Sequence, residues 1–428
     1  MQKRTLKCVS AAVLVAVTNV AMTNAQSARS CSPITRSNVV PCAISASYAL
    51  AADNYSREAA EGRRTAVSPL LPSNPVLSVF GGRRWQSGED GHHWAASLSQ
   101  ELEIAGQREV RREAAQADIE SQSQRVVARR REIAVEAWIA YFNAIAAAEE
   151  LRLAGRLAQT AQRVATVARA KAEKGLLAPI DADIADAASV RVLQGKLAAD
   201  RRSVAMNATL TSLLGLSSSG GSGAIEGELV PFDGVASTVG VRAGGQPDLR
   251  PEVRALDAER RAHEARAHAF RRIRVPNPTV TLAGETDRFE GHVFAVGLAF
   301  PIPIPGNVGR TYAGEIAEEE ALSRRSAAER DKLRRDVSLQ VTTARNAFES
   351  YGQEVQAFSS DRLSRAEEDL RALADELEAG RLAVRDAIVA QQAMIDLLQA
   401  NVATRRAWCL ASVELAFAAG LPLERGTP

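Results

Sequence analysis

Gly175-Leu176-Leu177-Ala178-Pro179-Ile180-Asp181 and Gly380-Arg381-Leu382-Ala383-Val384-Arg385-Asp386 are two versions of one turn, set 205 residues apart. Leu214-Gly215-Leu216 and Ala419-Gly420-Leu421 recur at the same offset, and Asn74-Pro75 returns as Asn277-Pro278. Self-similarity on this scale is the mark of a duplicated supersecondary unit. After each Asn-Pro come two alternating segments, a long helical stretch, the glycine-containing turn and a second helical stretch.

Proline placement bounds the helices. No proline occurs in 76–178, 180–230 or 306–421, and proline breaks helix interiors. The longest helices are therefore expected over 107–173 (67 residues) and 309–379 (71 residues). At 1.5 Å per residue each spans about 100 Å. Isolated Gly155, Gly314 and Gly352 weaken these stretches without ending them. Shorter helices are expected over 45–66 and 180–214, together 57 residues, and over 252–274 and 383–419, together 60. Two short helices end to end nearly match one long helix. A cylinder needs this if the same number of helices closes it at every height. The expected organisation is an N-terminal segment 26–44, a first repeat 45–216, an equatorial connection 217–247, a second repeat 248–422 and a tail 423–428. The connection opens on Ser217-Ser218-Ser219-Gly220-Gly221-Ser222-Gly223, flexible linker material.

Between short and long helix, side chains alternate with a period of two, the strand signal. In 94–104, Trp94, Ala96, Leu98, Leu102 and Ile104 share one face; Ala95, Ser97, Ser99, Glu101 and Glu103 share the other. In the second repeat Phe294, Val296, Leu298, Phe300 and Ile302 oppose Val293, Ala295, Gly297 and Ala299. The hairpin partners are 76–84 and 279–287, with polar loops at 86–92 and 288–291. Alternation of this kind suits transmembrane barrel strands and equally a half-buried strand of a soluble sheet. An open sheet cannot sit in lipid, because its edges stay unsatisfied. One chain offers four strands, so a barrel demands oligomerisation, and three chains give about twelve strands. Trp85 and Trp94 flank the outer loop, where aromatic rings anchor a barrel at the interface; packing in a soluble core is the alternative.

Of 428 residues 46% are hydrophobic but only 4% aromatic, a composition of long packed helices. The 53 Lys and Arg balance 51 Asp and Glu, so no strong field favours nucleic acid. Lys3, Arg4 and Lys7, an apolar run over 9–20 and small residues up to Ala25 read as an export signal over 1–25. That run is too short to span a membrane, and no later run of such length lacks charges, so insertion must use strands. Cys8 would leave with the signal. Cys31 is placed either in a disulfide with Cys42 or as a lipidation site, for which Ala28-Arg29-Ser30 is a poor context. Cys409 reads as a buried small hydrophobe. There is no phosphate loop, nucleophile elbow or Cys–His pair, so neither catalytic residues nor a cofactor is expected. His92 and His93 are adjacent on a strand and point to opposite faces. His263, His268 and His292 are scattered, so no resident metal site is expected.

The signal, the duplicated hairpin-plus-long-helix units and the Gly…Asp turns resemble the TolC-type outer-membrane factors over about 45–422. The corner Gln100-Glu101-Leu102-Glu103-Ile104-Ala105-Gly106-Gln107-Arg108 is similar to that of the cobalt–zinc–cadmium (CzcC-like) branch. So is Gly297-Leu298-Ala299-Phe300-Pro301-Ile302-Pro303-Ile304-Pro305-Gly306, although Ala105 stands where that branch usually has a second glycine. Arg250-Pro251-Glu252-Val253 also looks familial, and Pro at the first helical position suits a helix start.

The resemblance implies a mainly α fold with a small β part. In it, a homotrimer closes an outer-membrane β-barrel from four strands per chain, continuous with a periplasmic α-helical barrel. It implies a passive channel of a tripartite efflux system that conducts heavy-metal cations. Its partners would be a periplasmic adaptor (membrane fusion protein) and an inner-membrane pump of the resistance-nodulation-division type. It places Gly175, Leu176, Asp181, Gly380, Arg381 and Asp386 at the periplasmic tip and gate, with Val389 where some members carry a second acid. It places Glu103, Gly106, Pro301, Pro303 and Gly306 at the barrel–helix corners. Asp181 and Asp386 also suit helix N-termini electrostatically. The rivals are a duct for organic drugs or type I protein secretion, and a periplasmic coiled-coil adaptor or scaffold. The duplicated hairpins and matched helix lengths do not fit the scaffold.

Overall fold

The computed structural model describes residues 31–86, 89–216, 224–232, 235, 247–287, 291–302, 304 and 311–423. The expected export signal, the Ser/Gly run at 217–223, Pro303, Gly306 and most of the tail lie outside them. The first repeat runs α1 (Val39–Ala46), α2 (Tyr48–Ala66), β1 (Val76–Gln86), β2 (Glu89–Glu101), α3 (Gln107–Glu173) and α4 (Pro179–Leu213). The second runs α5 (Pro251–Ile273), β3 (Thr279–Asp287), β4 (Gly291–Ala299), α6 (Ala313–Ala357), α7 (Ser360–Glu378) and α8 (Val384–Ala418).

Helix α3 is the spine, and α2, α4, α5, α7 and α8 all pack along it. Its lower half buries Leu153, Leu157, Ala161, Val164 and Ala168, the three-and-four spacing of one helical face. At mid-height Trp138, Tyr141 and Phe142 are buried; Trp138 stacks on Phe142, Tyr141 tilts against it, and Phe232 from the connection between repeats meets Trp138 edge-on. Every polar tip in this cluster is matched. Trp138 Nε1 donates to the Leu423 carbonyl at 3.1 Å, and the Tyr141 hydroxyl donates to the Glu226 carbonyl at 2.8 Å. The Phe232 N–H donates to Ser412 Oγ at 2.8 Å. Part of the expected connection is thus an ordered belt, because Ile34 and Ile225 form a parallel bridge and Leu229 and Phe232 are buried. Cys31 and Cys42 form a disulfide that fastens α1 to this belt.

The short helices stack end to end as the lengths require. Helix α4 ends on left-handed Gly215, whose missing side chain leaves room for Ala46 at the junction of α1 and α2. In the second repeat α8 ends on left-handed Gly420, and Arg250 at the head of α5 donates to its last carbonyls, Phe417 O at 2.6 Å and Ala418 O at 2.9 Å. Arg250 is buried and lies over the Phe417 ring.

The second long helix departs from expectation. It begins at Ala313, not 309, and breaks at Phe358-Ser359 instead of running to 379. Ser359 has extended backbone angles and its side chain accepts the Arg362 N–H. This side-chain cap competes with helix continuation without any proline.

The sheet order is β1-β2-β3-β4, antiparallel throughout, so the two hairpins join through β2 and β3. Gln86 pairs with Glu89, so most of the loop expected at 86–92 is strand. Strand β2 ends at Glu101 and β4 at Ala299, short of the expected 104 and 302.

Gly227 has φ +144°, and a Cβ there would lie 2.1 Å from the Tyr141 hydroxyl. Gly227→Ala should therefore lower unfolding free energy by about 2–4 kcal/mol, from strain plus overpacking. Gly155→Ala, in open space on α3, should instead stabilise by about 0.5–1 kcal/mol; chemical denaturation of both variants checks the contrast. Burial pushes the Cys409 thiol up to about 12, so a maleimide at pH 8 should label it only after unfolding.

Candidate functional site

Strand register sorts the sheet into two faces. One face runs Leu77–Leu98–Leu282–Val296 across the four strands, with Val79–Ala96–Gly284–Phe294 beside it. Leu77, Val79, Trp94, Phe294 and Val296 on this face are exposed, Phe294 at 91%. The opposite face carries Ser97, Ser99, Thr281, Ala283, Ala295 and Gly297. Glycines on the apolar face are covered by rings: a Cβ on Gly81 would lie 2.6 Å from Trp94, and Gly284 lies under Phe294. Trp85 and Trp94 are both exposed on the apolar face. Among the described residues β1 and β4 each pair with a strand on one side only.

Where sheet meets helix, a buried amide organises the corner. Gln107 is 1% exposed; its Nε2 donates to Asn277 Oδ1 at 2.8 Å, while its Oε1 accepts the Ala105 N–H at 3.0 Å. Asn277 Nδ2 donates in turn to Glu101 Oε1 at 2.8 Å. The network links the end of β2, the start of α3 and the approach to β3. Glu103 is paired with Arg111 at 2.6 Å. Gly106 is left-handed (φ +70°) and starts α3. In the second repeat the equivalent left-handed residue is Tyr312 (φ 52°), which starts α6 with its ring stacked on Phe270. Pro303 and Gly306, expected at this corner, lie outside the described residues. Pro301 is exposed at the exit of β4.

At the far end the two turns have one geometry. Gly175 (φ +69°) and Gly380 (φ +74°) close the preceding helices, each with nested hydrogen bonds. Gly175 N donates to Ala172 O and Leu176 N to Lys171 O; Gly380 N donates to Leu377 O and Arg381 N to Glu376 O. Asp181 and Asp386 both sit in the first turn of the next helix, where the helix dipole favours a carboxylate.

The turns are also cross-linked. Arg385 reaches Asp181 at 3.5 Å, and Lys171 Nζ donates to the Leu377 carbonyl at 2.6 Å. Arg381 grips Glu376 with two 2.6 Å bonds and holds its carboxyl below the ordinary range. A depressed carboxyl supports the fold above the ordinary carboxylate range and stops doing so as pH falls through its own lower value. Leu176 is 72% exposed, and Asp386 and Val389 are exposed on α8. No described group pairs with Asp386, so the two equivalent acids differ in their surroundings.

No described cluster of His, Cys, Asp or Glu is arranged to hold a metal ion, and no described helix is long and apolar enough to cross a membrane. A four-stranded sheet, apolar and exposed on one face, stands on helices whose other end is a pair of cross-linked turns. Residues 43–216 match the outer membrane efflux protein family. The match covers the first repeat. The fold recurs in a membrane protein from Pseudomonas aeruginosa, with TM-score 0.72, 17% identity and coverage of 90% of this chain and 93% of that one. It recurs in the outer membrane protein VceC of Vibrio cholerae, with TM-score 0.70, 16% identity and coverage of 91% and 96%. CusC, a protein studied for transmembrane channel formation, has TM-score 0.70, 15% identity and coverage of 90% and 92%. No curated protein matches the sequence significantly. The family matched over the first repeat is one of efflux proteins of the outer membrane.

All six tip residues singled out from sequence therefore fall on two adjacent, cross-linked turns. Sequence reasoning missed Gln107, Lys171, Asn277, Tyr312 and Arg385. Asn277 was visible only as the repeat of Asn74, and nothing in the sequence distinguishes Gln107 from other helix-starting polar residues. Gln107→Leu removes the partners of Asn277 Oδ1 and of the Ala105 N–H and should cost about 2–3 kcal/mol. Arg325→Gln, which breaks an exposed pair with Glu329, should leave stability essentially unchanged; denaturant midpoints compare them.

Proposed function

We propose that three copies of this chain form a passive efflux duct in the outer membrane, with the sheets closed into one barrel and the helices reaching through the periplasm. One observation carries this: an apolar, exposed sheet face bounded by two strands whose outer edges have no strand partner among the described residues. In lipid such edges are untenable, and closure with further copies removes them. A second uncovered surface agrees. Val190, Leu193, Leu197 and Val204 are exposed along one side of α4, and a neighbouring copy would cover them.

At the other end, the exposed Leu176 and the paired turns form the surface offered to a periplasmic adaptor. That adaptor would connect the duct to an inner-membrane pump of the resistance-nodulation-division type, which supplies the energy. Heavy-metal cations are the proposed cargo, on the resemblance of the barrel–helix corner to the cobalt–zinc–cadmium branch. In the trimer Asp386 would stand near the axis as three unpaired carboxylates, which attract cations. No tight ligand set is required, since tight binding would slow passage.

Growth of a deletion strain on Co, Zn, Cd, Ni, Cu and Ag salts, beside antibiotics and dyes, tests the cargo. Sensitivity limited to metals is expected; sensitivity limited to organic compounds would replace metals with drugs and leave the duct standing. Asp386→Asn should change cation block or conductance of the purified channel in planar bilayers. Unchanged current and block would remove Asp386 from the gate.

A further inference from the structure

The apolar face of the sheet does not stop where the strands end. On the parity of Leu98, the chain continues through Leu102 and Ile104, which are 37% and 60% exposed. On the parity of Leu298 it continues through Phe300, Ile302 and Ile304, at 54%, 83% and 54%. The acids of this region, Glu101 and Glu103, fall on the opposite parity and are held by Asn277 and Arg111. The apolar side of the corner therefore carries no carboxylate on these segments.

Next to this apolar rim stand guanidinium groups. Both short helices that climb to the sheet end on an arginine pair, Arg63-Arg64 in α2 and Arg271-Arg272 in α5. Arg63, Arg64 and Arg112 are exposed, and no described carboxylate pairs with them. Arg272 and Arg274 are exposed and donate only to neutral carbonyls, Ala105 O and Thr311 O. Arg271 alone of the terminal pairs is neutralised, by Glu320. An arginine at a helix C-terminus complements the dipole, but one per helix would suffice, and Arg63 and Arg64 contact no carbonyl of their own helix. Uncompensated guanidinium beside an exposed apolar rim, duplicated in both repeats, has the chemistry of a membrane boundary: acyl chains on one side and phosphates on the other.

We infer that Arg63, Arg64, Arg112, Arg272 and Arg274 form a collar that binds the phosphates of anionic phospholipids at the periplasmic face of the outer membrane. This depends on the membrane placement proposed above. The collar fixes the depth of the barrel in the bilayer and favours anionic over zwitterionic lipid.

The test is a lipid titration of the purified, detergent-solubilised protein, with its thermal midpoint as readout, for wild type and for Arg63→Gln/Arg64→Gln/Arg112→Gln. These three side chains make no described hydrogen bond or ion pair, so the variant should fold as wild type without lipid. Phosphatidylglycerol should raise the wild-type midpoint at a concentration at least about tenfold below that of phosphatidylcholine. The triple variant should lose most of that preference. Raising salt from about 50 to about 500 mM should erase the wild-type preference by screening. A variant that keeps the preference, a wild type that has none, or an equal effect from inorganic phosphate would overturn the collar while the duct stands. Recovery of the protein only from the soluble fraction would instead remove the duct, and the collar with it.

Discussion

Backbone hydrogen bonding at a sheet edge governs this architecture. Among the described residues, four antiparallel strands satisfy each other internally and leave β1 and β4 with one open row each. In water such rows are tolerable; in hydrocarbon each unsatisfied group costs several kcal/mol. The side chains make water a poor home for the sheet, since Leu77, Val79, Phe294 and Val296 project from one face with nothing over them. The proposed closure with further copies would answer both the greasy face and the open edges.

In the proposed duct, the helices must match the barrel at every height. That explains why two short helices equal one long one and why the joints between them are so specific. Gly215 removes a side chain where α4 meets α2, and Gly420 with buried Arg250 does the same work where α8 meets α5. At the tip, left-handed glycines end the descending helices in both repeats, and Arg385–Asp181 and Lys171–Leu377 tie one turn to the other. The second descending helix differs in being interrupted at Phe358-Ser359. The lower segment α7 is held by its own apolar face, Ala366, Leu370, Leu373, Ala374 and Leu377.

What could be read from sequence was whatever depends on periodicity and on missing residues. Absence of proline together with helix-forming composition located α3 at both ends, and the 205-residue repeat placed the turns at Gly175 and Gly380. Strand parity survived although strand ends moved, because the period of two is set along the chain while the ends depend on cross-strand partners. The interruption of the second long helix was missed because a Ser cap competes with helix locally and leaves no gap in composition. The Gln107–Asn277 network was missed because it joins residues 170 positions apart. Tyr312 shows the limit most sharply, since a left-handed corner usually asks for glycine and here ring packing on Phe270 stabilises it.

The most direct test of the central claim is oxidative cross-linking of cysteine pairs scanned along β1 and β4 of the membrane-inserted protein. These strands lie on opposite edges of one sheet, so a disulfide between them has to join two copies. The account predicts covalent ladders that end at trimer, for pairs in one register along the strands. Cross-links confined within single chains, or none at any register, would contradict it.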